Sequence, residues 1–389
     1  MEIIKDLPKV FDEFGEARRN SFIAVKEIKD AGTPVVGAYC TYAPQELVMA
    51  AGAVPIALCS MSNETTADAE QDLPANLCPL IKSSYGFAKT DKCPYFHFSD
   101  IVVGETTCDG KKKMYELMSD FKKVFVMNLP NSQDEEGRKL WRSEVRRYKE
   151  YLEKELGVEI TDDKIREAVK LKNAERDAQK AVSQVMANDP APIMGGDMFK
   201  VIFGSQYKFD KDESIKSLNA VRDKIMSDYA NGQNVGKKPR ILITGCPMGG
   251  GTTKIIDAVE KNGGVVVAFE NCSGYKMFNE NIDENAADIV DAVADRYLNI
   301  GCSVMTPNPN RYELLGKLID QYHVDGVLDM TLTACHTYNI EGKKIEKFCR
   351  DEKGVPYIAV ETDYSTADVG QLNTRISAFV EMLYWTYSL

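Results

Sequence analysis

"ILITGCPMGGGTTKIIDAVE", residues 241–260, runs from an apolar segment through a cluster of glycines into a stretch with apolar residues at helical spacing. A strand, a tight turn and a helix in that order open a parallel α/β unit. Glycines after such a strand suit a phosphate-binding loop, which also needs a lysine for the terminal phosphates and a Ser or Thr for magnesium. Gly245 and Gly250 have the required gap, and Thr252 offers the hydroxyl. Gly251 stands at the lysine position, however, and Lys254 lies almost one helical turn further on. The loop fails as an ATP site at its charge-bearing residue. Cys246, where the strand ends, becomes the feature to explain.

The same alternation extends outward from this stretch. Strand-like "RILITG" (240–245), "GVVVAFE" (264–270), "DGVLDMTL" (325–332) and "VPYIAVE" (355–361) are interleaved with helix-like "DIVDAVADRYLN" (288–299) and "RYELLGKLIDQY" (311–322). A last helix falls near "QLNTRISAFVEMLYW" (371–385). Upstream, "TPVVGAY" (33–39), "VPIAL" (54–58), "DIVVGE" (100–105) and "KVFVMN" (123–128) alternate with "APQELVMAAG" (43–52) and "GKKKMYELMSDF" (110–121). Strands alternating with helices predict βαβ units and parallel sheets. Between them, Trp141, Val145, Tyr148, Leu152 and Leu156 recur at helical spacing, Gly157 stops that helix and Thr161 can cap the next. The expected organisation is two Rossmann-like α/β domains related as a structural repeat, at 1–130 and 239–389, joined by a helical insertion or linker at 131–238.

With 389 residues, 44% hydrophobic and 28% charged, the chain can build more than one core. A formal charge of −11 and no long basic stretch argue against a nucleic-acid partner. No apolar run reaches the ~18 residues that a bilayer requires, and "MEIIKDLPKVFDEF" lacks the layout of a signal peptide. The expectation is a cytoplasmic protein. In a reducing compartment its ten cysteines are not expected to form a disulfide framework.

Their placement repeats. Cys40 and Cys246 close the first strands of the two halves, and Cys59 and Cys272 follow the second strands. Cys78 and Cys302 sit in the next loops, and Cys108 and Cys335 end the following strands. Open α/β sheets bind ligands at the carboxyl ends of their strands, so two such edges face to face would gather several thiolates. Zinc favours compact C-x-x-C pairs, which this chain lacks. Iron–sulfur clusters accept thiolates from distant loops. A second glycine stretch, "GETTCDGKK" (104–112), misses the phosphate-loop spacing, and no strand is followed by a G-x-G-x-x-G dinucleotide pattern.

The segments around these cysteines resemble a known family. "YCTYAPQELVMAAGAVPIAL" (39–58), "NLCPLIKSSYGFAKTDKCPYFHFSDIVVGETTCDGKKKMYE" (76–116), "ENCSGYK" (270–276), "GCSVMTPN" (301–308), "ACHTY" (334–338) and "VPYIAVETDYSTADVGQLNTRISAF" (355–379) are together similar to the 2-hydroxyacyl-CoA dehydratase/benzoyl-CoA reductase D-component family, and most of all to its double-cubane cluster proteins. The resemblance implies an iron–sulfur reductase component with an [8Fe-9S] double cubane between the halves. It also implies a separate ATP-hydrolysing iron–sulfur activator, so that ATP is used by the partner, a small-molecule substrate and a homodimer. The nearest alternative it implies is a 2-hydroxyacyl-CoA dehydratase subunit with one [4Fe-4S] cluster. A non-catalytic cluster-carrying module is the reading from a different class.

Carried over residue by residue, the resemblance assigns Cys40, Cys78 and Cys108 to one cubane and Cys272, Cys302 and Cys335 to the other, with Cys93 or Cys246 as replacements for Cys40. Cys59 and Cys349 are read as structural. His336 is the candidate catalytic residue, as a hydrogen-bond or proton donor to cluster or substrate. Asp109 is expected to cap the helix at Gly110, with Glu105 on the other flank of Cys108. Lys111, Lys112 and Lys113 are read as a solvated helix face, with charge compensation or activator docking as the functional alternative. Glu361 and Asp363 are expected to bind backbone N–H groups.

Overall fold

A computed structural model describes residue 4 and residues 6–386; the outermost residues of the first and third expected regions lie outside it. Eight strands form two sheets: β1 (Val35–Ala38), β2 (Val54–Ala57), β3 (Ile101–Glu105) and β4 (Val124–Met127), then β5 (Arg240–Gly245), β6 (Val265–Phe269), β7 (Gly326–Leu332) and β8 (Tyr357–Thr362). The spatial orders are β2-β1-β3-β4 and β6-β5-β7-β8, and every pairing is parallel. The chain is therefore α/β with two Rossmann-like sheets of the same topology. β3, β5, β6 and β7 are buried along their whole length, because helices cover both faces of a parallel sheet; this is why they read as unbroken apolar runs.

In each sheet the order reverses beside its first strand, which leaves a crevice between β1 and β3 and another between β5 and β7. The register sets their depth: Ala38 lies opposite Val103, and Gly245 opposite Met330. Both crevices open at the carboxyl ends of the strands.

Helices at Glu135–Leu156, Asp162–Gln184, Gly195–Ser205 and Lys211–Ala230 occupy the segment between the sheets. Gly157, at φ 67°, ends the first, and Thr161 caps the second through Oγ1 and the Lys164 N–H. These helices do more than connect. Arg142 and Arg146 ion-pair with Asp295 and Asp291 on the helix Ile289–Leu298. Arg176, buried in the second helix, pairs with buried Glu46 of the first half, and Glu46 also accepts a 2.8 Å bond from Tyr297 of the second. All three parts of the chain meet at that one carboxylate.

The glycine loop completes the junction. A Cβ at Gly249 or Gly250 would collide with Met61 of the first half, and one at Gly251 with the backbone of Tyr364. Gly249 and Gly250 also have φ of 150° and 52°, where side chains are strained. Thr252 Oγ1 is engaged with the Gly249 backbone, while Lys254 ion-pairs with Asp368 and donates to the Ser365 carbonyl. The glycines thus serve the close approach of two chain segments. Among the described residues no helix is long and apolar enough to cross a membrane.

Candidate functional site

The two crevices share one chamber of about 730 Å³. Cys40, Cys78, Cys108, Cys246, Cys272, Cys302 and Cys335 all line it, together with His336. The six cysteines expected as ligands are therefore brought together, and Cys246 joins them. Cys40 and Cys108 follow the strands that flank the first crevice; Cys246 and Cys335 flank the second. Cys93 does not line the chamber. It begins the short helix Pro94–Phe98, where its Sγ accepts the Phe96 N–H at 3.4 Å.

Helix ends place a favourable field for negative charge beside several of these sulfurs, which burial opposes. Cys78, Cys108 and Cys335 stand at the N-caps of the helices Pro79–Lys89, Asp109–Met118 and His336–Lys347, where unpaired N–H groups and the helix dipole favour negative charge. Cys108 takes the N-cap position expected of Asp109, whose side chain points to solvent and pairs with Lys112 at 2.8 Å. Ala334 holds φ +58°, a conformation rare for a residue with a side chain, immediately before Cys335.

The thiols do not keep to their own halves. Cys246 and Cys78 both lie beside Cys335, and their proximity holds the Cys335 thiol well below its ordinary range. Cys78 is held well above the usual range by its nearness to Cys335 and by burial, Cys246 by burial and then by that nearness. Leu332 N–H also donates to Cys246 Sγ at 3.3 Å. Cys40, Cys272 and Cys302 form a second set within electrostatic reach of one another. Burial pushes Cys40 well up and Cys272 up to about 11. Cys108, raised by burial, feels both Cys335 and Cys302. Electrostatic neighbours therefore cross the halves: Cys335 of the second half stands by Cys78 of the first, and Cys40 by Cys272 and Cys302.

Among the described residues no three His, Cys, Asp or Glu side chains close on one point as ligands of a single metal ion would. Seven sulfurs spread around one cavity would suit a polynuclear iron–sulfur group better than a single ion. Cys59 lies behind the chamber wall, in a smaller cavity of about 110 Å³ that also touches Cys40 and Cys272; its S–H donates to the Tyr39 carbonyl at 2.7 Å. Cys349 is fully buried in the segment Phe348–Glu352, away from the chamber.

Among the polar residues, Lys111 and Glu361 sit differently from expectation. Lys111 is buried, not solvated, and its Nζ donates to the Tyr39 carbonyl at 2.7 Å and faces Cys59 at 4.0 Å. It shares a stripe with buried Met114, Tyr115 and Met118, a spacing visible in the sequence. Lys112 and Lys113 do face solvent. Glu105 is buried at the end of β3, accepts the Ala43 N–H at 2.7 Å, and is pushed up to about 7 by burial. His336 lies exposed on the chamber rim. Asp363 accepts the Ser365 N–H at 2.7 Å, as expected, while Glu361 is exposed.

Sequence comparison places this arrangement. Residues 40–383 match the family model described as 2-hydroxyglutaryl-CoA dehydratase, D-component. The chain belongs to this family. Over 98% of its length and the whole of the relative, it is 52% identical to YjiM of Escherichia coli (strain K12), a provisionally assigned dehydratase subunit. It is 23% identical to the (R)-phenyllactyl-CoA dehydratase beta subunit of Clostridium sporogenes, covering 96% of this chain and 99% of the other. One of the benzoyl-CoA reductase subunits of Thauera aromatica is 20% identical, covering 93% and 94%. The family match spans every cysteine that lines the chamber.

Proposed function

We propose that this D-component family member is the cluster-bearing part of an ATP-coupled iron–sulfur reductase. In this reading a separate ATP-hydrolysing activator supplies low-potential electrons, and a small molecule is reduced beside an [8Fe-9S] double cubane. One observation carries it: a single chamber into which both halves of the repeat place thiols. Cys78, Cys108 and Cys335 would hold one cubane, and Cys40, Cys272 and Cys302 the other, with Cys246 as a thiol that steadies Cys335.

When bound, such a cluster supplies electrons one at a time at a potential tuned by its surroundings. The chain's own residues provide those surroundings. The helix N-termini at Cys78, Cys108 and Cys335 favour thiolates. Buried Lys111, beside Cys40 and Cys59, offsets negative charge where water is scarce. Leu77, Leu80, Ile81 and Leu332 line the chamber with apolar surface and limit water. His336, at the rim, is placed to give a proton to a reduced substrate. The proposal includes a homodimer acting in the cytoplasm.

A second reading has specific support, because the relatives include dehydratase subunits. A 2-hydroxyacyl-CoA dehydratase subunit would carry one [4Fe-4S] cluster and work with a different partner subunit. Iron and acid-labile sulfide, measured on protein purified without oxygen, separate the two. The reductase reading expects about eight irons per chain; about four would favour the dehydratase, and none would sink both.

A further inference from the structure

Behind Cys302 lies a buried set of charges that the proposed function does not use. Lys276 and Glu270, both fully buried, ion-pair at 3.2 Å. Lys276 Nζ also donates to the phenol oxygen of Tyr338 at 3.0 Å. The Arg311 guanidinium lies 4.9 Å from the centre of the Tyr338 ring, where it is attracted to the ring face, and is itself held by Glu341 and by a 2.9 Å bond to Thr244. The ring is therefore fixed on its face and at its oxygen.

That arrangement dictates what the phenol proton can do. An ammonium group has donors only, so the Tyr338 oxygen accepts from Lys276 and its own O–H is left to point elsewhere. Among the described residues, the other hydrogen-bond partner of the phenol is Cys302 Sγ, at 3.9 Å. An iron-bound thiolate accepts hydrogen bonds and has no proton to give. A donor to such a sulfur withdraws negative charge from it and favours the reduced cluster.

We propose that Tyr338 is a positioning residue that donates its O–H to Cys302 Sγ, aimed by Lys276 and Arg311, and so raises the reduction potential of the cluster at the Cys302 side. Its class of ligand is the sulfur of an iron-bound cysteine. The inference rests on the reading of Cys302 as an iron ligand.

Tyr338→Phe removes the donor and keeps the ring. In anaerobically purified protein, we expect iron and sulfide per chain to match the unaltered protein while the cluster's midpoint potential, followed by electron paramagnetic resonance during redox titration, moves to a more negative value. Site-specific 3-fluorotyrosine at position 338 makes a stronger O–H donor of nearly the same size, and we expect the potential to move the opposite way. This second variant decides the matter even if Tyr338→Phe fails to hold its cluster. Equal potentials in iron-replete variants overturn the inference and leave the proposed function standing. Absence of iron from the unaltered protein fails the proposed function itself, and the inference with it.

Discussion

Cys335→Ala protein purified without oxygen is expected to retain well under half of the iron of the unaltered chain, while Cys349→Ala retains all of it. Cys335 occupies the meeting point of every device that builds the site. It follows β7, flanks the second crevice, caps a helix and is reached through a residue at positive φ. Cys78 and Cys246 converge on its sulfur. Alanine would remove the ligand and leave those two thiols facing a gap. Cys349, buried away from the chamber, serves as the control, because its loss removes a small core side chain and no chamber sulfur. Circular dichroism of both variants separates loss of iron from loss of fold. Full iron in Cys335→Ala, with the fold intact, would show that the chamber does not bind iron through this sulfur.

Arg311→Met is expected to destabilise the folded chain by about 3–5 kcal/mol, measured by urea unfolding under anaerobic conditions. Arg311 is completely buried and stands among three carboxylates. Its Nε lies 3.7 Å from Glu270, its Nη2 lies 3.9 Å from Asp329, and the other terminal nitrogen pairs with Glu341. Methionine matches the stem and removes the charge, so that the three acids lose their shared cation and Lys276 remains paired with Glu270. Breaking a buried pair on one side costs far more than a surface pair, because the remaining charge stays desolvated.

The defect should depend on pH with a definite sign. Burial already raises the Asp329 carboxyl, and Arg311 opposes that shift. Without Arg311 the folded-state value rises further above the unfolded one. A carboxyl of this kind penalises the fold increasingly as pH climbs from the unfolded value of about 3.9 through the folded one. The loss should therefore be smaller near about pH 5 than near about pH 8. An effect within ~0.5 kcal/mol at both values would show that the carboxylates reorganise without the arginine.

The sheets and the chamber cysteines were readable in the sequence because both obey local rules. Fully covered parallel strands read as β-branched and apolar runs, and a cysteine just past such a run lies at the edge where ligands bind. The failure of the glycine loop at Gly251 was equally local, and Thr252 and Lys254 prove to be engaged within the fold. Lys111 carried a usable signal in its spacing with Met114, Tyr115 and Met118, hidden by the convention that a run of three lysines faces water. The helix His336–Lys347 buries only Tyr338 and Ile345, too few apolar contacts to give a clear period.

Other features depend on contacts between distant residues and leave no local mark. Thr244, Glu270, Arg311, Asp329 and Glu341 come from five separate segments that meet only in the packed core. The nearness of Cys78 to Cys335 likewise joins segments far apart in the chain. The resemblance divided the sulfurs by halves, a division that local sequence cannot check. The two crevices open into one chamber, and sulfurs from opposite sheets become neighbours.

The most direct measurement is anomalous diffraction at the iron edge from crystals grown without oxygen. Two groups of iron are expected inside the chamber between the sheets, one bonded to Cys78, Cys108 and Cys335 and the other to Cys40, Cys272 and Cys302. A single four-iron group, or a chamber free of iron in crystals of freshly purified protein, would contradict the double-cubane reading.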